Sequence, residues 1–197
     1  ISIASFTIDG GTFNAGASTV TLSGGFTHTA ATGTFNEDTS TLRLTGLDTI
    51  YDFNTTETFN NVEVAKGAGN WATVNSGDTM VIAGTFTLTT GILRMGTFDA
   101  RGNINQAASF NGSTNTAVFD FGDNAVNQVY TTAGGTGPNI RFDNAADAND
   151  SIVLSTADAA FTGMSTTVNF GDANTIPITY NAHNLTIGGS GFTLITG

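Results

Sequence analysis

Charged residues are scarce in this sequence, and basic residues are the scarcest. Only 11% of the side chains are charged, against about 25% in an average soluble domain. Five Lys and Arg stand against sixteen Asp and Glu, which gives a formal net charge of −11 at pH 7. Such a chain repels a phosphate backbone, because binding to nucleic acid depends on Lys and Arg displacing counterions. We therefore expect no nucleic-acid partner.

Long apolar runs are also missing. No stretch approaches the ~18 consecutive apolar residues that a membrane span requires, and the chain does not open with a basic segment followed by an apolar one. We expect no membrane span in this segment. Neutral Thr, Asn and Ser stand where a cytosolic protein carries many Lys and Glu, and this polar, uncharged surface predicts an extracellular or cell-surface location.

Helical periodicity is absent, and short alternating segments take its place. No dozen residues keep apolar side chains at i, i+3, i+4 and i+7 without interruption by Gly, Asn or paired Thr. Apolar-polar-apolar triplets recur instead, which is typical of strands with one buried face. Gly, Asn, Asp and Ser clusters between the triplets predict tight turns. The triplets lie at 20–22, 42–44, 62–64, 86–88, 140–142, 168–170, 185–187 and 192–194.

An internal repeat organises these triplets. Residues 11–24 recur as residues 33–46, an offset of 22, and ten of the fourteen paired positions are identical or exchange Val for Leu or Ser for Thr. Weaker similarities match Phe119 with Val168 and Val129 with Ile178 at an offset of 49, and residues 61–64 with residues 139–142. A period near 22 made of short strands and turns is what one coil of a stacked solenoid requires.

The sequence therefore predicts an all-β fold, a parallel β-solenoid with coils of about 22 residues and short Gly, Asn and Asp turns. We expect residues 1–197 to form a single domain of roughly nine coils, on the order of 40 Å long at the usual strand spacing, which is compatible with a segment of a longer surface protein. Phe13 should stack near Phe35, and Leu22 near Leu44. The predicted core comprises Phe13, Leu22, Phe35, Leu44, Val64, Phe86, Leu88, Phe121, Phe142 and Phe170.

The residue pattern of the repeats resembles that of a known group of proteins. Gly11-Thr12-Phe13-Asn14 with Ser18–Gly24, then residues 58–64 and residues 84–93, resemble the repeats of large bacterial surface proteins with β-helical stalks, the filamentous-haemagglutinin-like and adhesin-like group. The resemblance runs over most of the chain. It implies a right-handed parallel β-solenoid, export to the cell exterior, and a role in displaying other domains or assembling into fibres. It implies no catalytic residue.

Titratable groups suited to catalysis are few. The chain has no Cys, no Gly-x-Ser-x-Gly motif and two histidines. His28 shares a side of its strand with Phe26, which predicts a coil corner or a partly buried position, and His183 lies in a turn-like stretch. Three acidic pairs match the residue types that glycosidases use: Asp48 with Asp52, Asp120 with Asp123, and Asp147 with Asp150. Because the chain has one Trp, one Lys and short connections, we expect no enzyme activity.

The polar residues suggest two further candidate ligands, a calcium ion and ice. Asp143, Asp147 and Asp150 carry hard oxygen ligands that suit Ca²⁺, but their spacing is wrong for an EF-hand and turn chemistry explains them equally. Thr-x-Thr elements suggest a flat ice-binding array. The offset of 22 takes Thr19 to Thr41 but Thr21 to Arg43, so the array breaks after one step. We expect no metal and no cofactor.

The function predicted from the sequence is structural. Both chain ends, residues 1–8 and 192–197, are strand-like and apolar without a recognisable cap, so we expect self-association through these ends by strand addition. The alternative is a carbohydrate-binding or adhesive module, in which a surface glycan binds to exposed aromatic side chains such as Tyr51, Trp71, Tyr130 or Tyr180. The pattern is equally compatible with each of these rings packing in the core or at a corner.

Overall fold

The computed structural model is an all-β parallel solenoid. It describes residues 1–110, 117–121, 128–133, 140–142, 152–154, 159–161, 167–169, 178–179, 185–187 and 193–195, and no helix long and apolar enough to cross a bilayer occurs within them. The strands are β1 (Ser2–Ile3), β2 (Phe6–Thr7), β3 (Gly11–Asn14), β4 (Thr19–Leu22), β5 (Phe26–His28), β6 (Gly33–Asn36), β7 (Thr41–Leu44), β8 (Thr49–Phe53), β9 (Thr56–Phe59), β10 (Asn61–Ala65), β11 (Trp71–Val74), β12 (Thr79–Ile82), β13 (Phe86–Thr90), β14 (Ile92–Arg94), β15 (Thr97–Ala100), β16 (Ile104–Gln106), β17 (Val118–Phe121), β18 (Gln128–Thr132), β19 (Ile140–Phe142), β20 (Ile152–Leu154), β21 (Ala159–Phe161), β22 (Thr167–Asn169), β23 (Ile178–Thr179), β24 (Leu185–Ile187) and β25 (Thr193–Ile195).

Successive coils stack their strands into long parallel sheets. The first sheet has nine strands in the order β1-β4-β7-β10-β13-β16-β18-β20-β23, one from each coil. The second sheet has the order β2-β5-β8-β11-β14, and the third has the order β9-β12-β15-β17-β19. The pairs β3-β6, β21-β24 and β22-β25 form two-stranded sheets. Backbone hydrogen bonds therefore run along the axis of the rod and tie each coil to the next.

The strand register confirms the predicted repeat. Thr19 pairs with Thr41 and Gly11 with Gly33, both at an offset of 22. The rings of Phe13 and Phe35 stack with their centroids 5.8 Å apart. Coil length varies along the rod, since Phe86 pairs with Ile104 after 18 residues and Ile104 pairs with Tyr130 after 26. Corners absorb these insertions while the strands keep their stacking.

Two of the weaker repeat similarities are wrong. Ile178 pairs with Ile152, which pairs with Gln128, so Val129 lies one residue away from the partner that the offset of 49 gave it. Residues 61–64 lie in the first sheet, whereas β19 lies in the third. Alternating apolar triplets occur on every face of a solenoid, so a triplet alone does not identify the face to which it belongs.

The core is a continuous column of apolar side chains inside the coils. Six residues of the predicted core are buried: Leu22, Phe35, Leu44, Val64, Phe86 and Leu88. Phe13 is only partly buried, although it packs against the core, because it lies in the first coil. Phe35 in the next coil has Phe13 on one side and Phe59 on the other. The side chains of Phe121 and Phe142 and the whole of Phe170 lie outside the described part.

Close stacking leaves little room at the corners. Gly46 adopts φ +78°, and a Cβ atom there would lie 2.4 Å from the carbonyl oxygen of Ser23 in the coil below. Only glycine accommodates both the left-handed backbone and this close approach. The glycine that closes the second copy of the repeat is therefore required by the spacing between coils.

Candidate functional site

An open groove of about 560 Å³ crosses the outer face of the second sheet. Its centre is a ladder of outward-facing residues from three successive coils, in which Ile50 pairs with Thr73 and Thr73 with Arg94. The groove is lined by Gly25, Asp48, Thr49, Ile50, Trp71, Thr73, Arg94 and Met95. Gly25 lies in the coil before Ile50 and has no side chain, so the groove extends over four coils, roughly 14 Å along the axis.

Arg94 and Trp71 form the polar and aromatic part of the groove. The guanidinium carbon of Arg94 lies 4.0 Å from the centroid of the Trp71 ring, in a cation–π contact. Within the described part of the chain, Arg94 makes no ion pair and no hydrogen bond. Stacking holds the five N–H donors of this guanidinium in place, and they face no acceptor among the residues that the structure describes.

The backbone turns sharply directly after Arg94. Met95 has φ +54° and Gly96 has φ +56°. A positive φ at a non-glycine residue is strained and is frequent at ligand sites. A Cβ atom at Gly96 would lie 2.5 Å from the side chain of Val74, so this turn is pressed against the coil below and fixes the end of β14.

Asp48 forms the wall of the groove beside Trp71. One carboxylate oxygen of Asp48 accepts a hydrogen bond from the backbone N–H of Trp71 at 2.7 Å. This bond ties the corner before β8 to the start of β11 in the next coil. The carboxylate therefore positions the residue that carries the aromatic ring.

Lys66 supports the groove from inside the rod. Its side chain is fully buried, and its ammonium group donates to the carbonyl oxygens of Thr45 at 2.7 Å and Leu47 at 2.9 Å and to the hydroxyl of Thr49 at 2.5 Å. Burial lowers the pKa of Lys66 to about 8, and the charge of Asp48 opposes this shift. Lys66 thereby fixes the segment that forms the near wall of the groove.

Tyr51 completes this internal cluster. The hydroxyl of Thr49 donates to the Tyr51 hydroxyl oxygen at 2.8 Å, and the ammonium of Lys66 lies 5.5 Å from the centroid of the Tyr51 ring. The Tyr51 side chain is fully buried, and burial raises its pKa. Of the two positions that the sequence left open for Tyr51, the structure shows the core, because alternation along β8 turns this ring inward.

The other predicted aromatic residues divide in the same way. Tyr130 is 1% exposed and donates a hydrogen bond to the side-chain oxygen of Gln106 at 2.6 Å, so it too lies in the core. Tyr180 lies outside the described residues. Among the three aromatic candidates that the structure describes, Trp71 is the one at a surface, half-buried in the groove.

His28 occupies the corner that its alternation predicted. It is partly buried and hydrogen-bonds through Nδ1 to the carboxylate of Glu57 in the next coil. Burial raises the pKa of Glu57, and the hydrogen bond and charge of His28 oppose that rise. Glu57 carries no signal in the sequence pattern, because its offset of 29 residues from His28 exceeds the period of 22. His183 lies outside the described residues.

The structure does not bring Asp48 and Asp52 together. Four residues of extended chain separate them by roughly 13 Å, and Ile50 faces outward between them. Asp52 instead accepts a hydrogen bond from the side-chain amide of Asn75 at 3.0 Å. Paired carboxylates in glycosidases lie about 5 to 9.5 Å apart. The side chain of Asp120 and the residues Asp123, Asp147 and Asp150 lie outside the described part.

The threonine array breaks where the sequence predicted. On the first sheet Thr21 pairs with Arg43, and the next residue in this ladder is Glu63. Arg43 donates to Glu63 at 2.9 Å, so a surface ion pair interrupts the hydroxyl ladder. A flat ice-binding face does not form here.

Three or more His, Cys, Asp or Glu side chains do not converge anywhere among the described residues. The residues weighed for Ca²⁺, Asp143, Asp147 and Asp150, lie outside them.

Comparison of the chain with protein families, with curated proteins and with solved structures gave no match.

Proposed function

We propose that this chain is a non-enzymatic structural protein of the cell exterior, acting as a stalk or as the repeating subunit of a surface filament, layer or adhesin. The observation that carries the proposal is the nine-stranded sheet that runs from β1 to β23. Every coil adds one strand to it, so its hydrogen bonds lie along the axis in which a stalk or filament bears load.

The first coil supports self-association along the same axis. Among the described residues β1 and β2 are the outermost strands of their sheets. Ile3 and Phe6 pack only partly into the core, and Ile1 is 64% exposed. An edge of this kind accepts a further strand, either from an adjoining coil or from a second copy of the chain. Contact of one end with the other end of a second copy does not close and therefore propagates.

Deletion of residues 1–8 tests this association. We expect the 197-residue segment to form end-to-end multimers and the truncated segment to sediment as a folded monomer, because the deletion removes β1, β2 and the apolar side chains that a second copy would cover. Sedimentation velocity and electron micrographs measure the assembly, and circular dichroism checks the fold.

A paired substitution leaves the chain length unchanged. Replacing Ile3 and Phe6 with Lys places two charges on the apolar side of the same edge, and we expect the same loss of multimers. Filaments that persist in both variants would exclude assembly through this end. A purely monomeric intact segment would contradict self-association altogether.

The groove supports a second candidate function, binding of a surface glycan by an adhesive module. Trp71 offers an aromatic ring beside hydroxyl, carboxylate and guanidinium groups, and sugars present an apolar ring face together with hydroxyl groups. Carbohydrate sites therefore combine an aromatic surface with a few polar partners.

Substitution of Trp71 tests this second function. We expect Trp71→Ala to lower the affinity for a bound glycan at least tenfold, since both the aromatic surface and the support for Arg94 are lost. Trp71→Phe retains a ring and should keep most of the affinity. A glycan array followed by titration calorimetry measures both variants, and equal affinity of wild type and Trp71→Ala would contradict glycan binding in the groove.

A further inference from the structure

We propose that the groove is selective for an acidic saccharide and that Arg94 binds the carboxylate of a uronic acid residue. This inference rests on the proposed glycan-binding function and specifies its ligand. Arg94 is the residue that determines the choice, because its guanidinium is the cationic group among the lining residues.

The state of Arg94 favours a carboxylate over a neutral group. Of the other arginines whose side chains are described, Arg43 pairs with Glu63 and Arg101 with Asp99. Arg94 instead stacks on Trp71, which fixes the plane of the guanidinium and leaves its N–H edges available. A planar fork held in this way matches a carboxylate with two parallel hydrogen bonds.

The charges around Arg94 permit such a ligand. Asp48 is the acidic group in the lining, but its carboxylate is committed to the backbone of Trp71 and lies near the buried ammonium of Lys66. The remaining negative charge of the chain is distributed along the rod, and repulsion beyond about 8 Å is largely screened at physiological salt. The local field at Arg94 therefore decides the binding.

The backbone around the groove favours a saccharide over an extended peptide. A peptide that binds by strand addition needs unpaired N–H and C=O groups at a sheet edge. The groove lies on the face of β8, β11 and β14, whose backbones pair with one another across the coils. What the face offers is one aromatic ring, the hydroxyl of Thr73 and a guanidinium, a set suited to hydroxyl and carboxylate groups.

The test compares two matched ligands on the intact 197-residue segment. The first is a tetrasaccharide of galacturonic acid, and the second is the same tetrasaccharide with each carboxylate reduced to a hydroxymethyl group. We expect the wild type to bind the acidic form at least tenfold more tightly, since hydrogen bonds to charged groups are the stronger ones. The preference should shrink at 0.5 M salt, because screening weakens it.

Two arginine variants separate the role of Arg94 from net charge. Arg94→Gln should lose the preference for the acidic form, because its affinity for that form should fall at least tenfold. Arg43→Gln makes the same change in net charge on the first sheet and should keep the preference. Circular dichroism establishes that both variants are folded.

The outcomes distinguish the two proposals. Equal affinity of wild type for both ligands, with loss of both in Trp71→Ala, would overturn the role of Arg94 and leave glycan binding standing. A preference that survives Arg94→Gln would also overturn the inference. Failure of the wild type to bind either tetrasaccharide would contradict acidic selectivity, and a glycan array would then show whether Trp71 binds a neutral glycan instead.

Discussion

Replacing Phe35 with alanine is expected to lower the free energy of unfolding by about 3 to 5 kcal/mol. The ring of Phe35 is 6% exposed and contacts four other rings, with centroid distances of 6.5 Å to Phe6, 5.8 Å to Phe13, 5.5 Å to Phe26 and 5.2 Å to Phe59. These rings come from three successive coils. Alanine would leave a cavity that neighbouring strands cannot close, because their spacing is fixed by backbone hydrogen bonds.

Urea unfolding followed by the fluorescence of Trp71, the single tryptophan, measures this loss. Leu47→Ala is the control, since the Leu47 side chain is 73% exposed and its truncation should change the free energy of unfolding by less than about 0.5 kcal/mol. A loss below 1 kcal/mol for Phe35→Ala would contradict the role of this aromatic cluster in joining the coils.

The sequence was sufficient to predict the coils where copies of the repeat follow each other without insertion. Thr19 and Thr41 occupy the same place in two coils, and their residue types agree. The assignment of strands to sheets failed where corners change length, because the residue types of a triplet such as residues 140–142 do not indicate the sheet to which it belongs. Register along the rod is set by hydrogen bonds between coils, and single-sequence patterns do not encode it.

The groove was only partly predictable for a related reason. Trp71 was a candidate from its residue type alone. Arg94, which lies in the next coil, is recognised as a binding residue only from its stacking on the Trp71 ring. For Tyr51 the sequence left the surface and the core equally open. The structure buries the ring, the Tyr51 hydroxyl accepts a hydrogen bond from Thr49, and the ammonium of Lys66 lies 5.5 Å from the ring centroid. Contacts between coils decide which polar groups are buried, and they depend on corner geometry that the sequence pattern leaves open.

Lys66 is the clearest case of a polar side chain that contacts between coils bury, and its replacement should have a large effect on stability. Lys66→Met is expected to lower the free energy of unfolding at pH 7 by roughly 2 to 4 kcal/mol. Methionine fills a similar volume, but the carbonyl oxygens of Thr45 and Leu47 would lose the donor that satisfies them. Removal of a buried charge offsets part of this loss, so an effect below about 1 kcal/mol would mean that the ammonium adds no net stability.

The free energy of unfolding of the wild type should depend on pH through the titration of Lys66. Its pKa falls from 10.5 to about 8 on folding, so below pH 8 both states hold the proton and the penalty for burying the charge is fully present. Between about pH 8 and 10 the folded state releases the proton while the unfolded state keeps it, and the free energy of unfolding should rise by up to about 1.4 kcal/mol per pH unit.

Above pH 10 the two buried tyrosines reverse the trend. Burial raises the pKa values of Tyr51 and Tyr130 above their ordinary value of 10.0, so the unfolded state loses these protons first and stability falls. The wild type should therefore be most stable between about pH 9 and 10, whereas Lys66→Met should lack the rise from pH 8 and keep the fall. Urea unfolding of both proteins from pH 7 to 11 measures the two curves, and parallel curves would contradict a lowered pKa for Lys66.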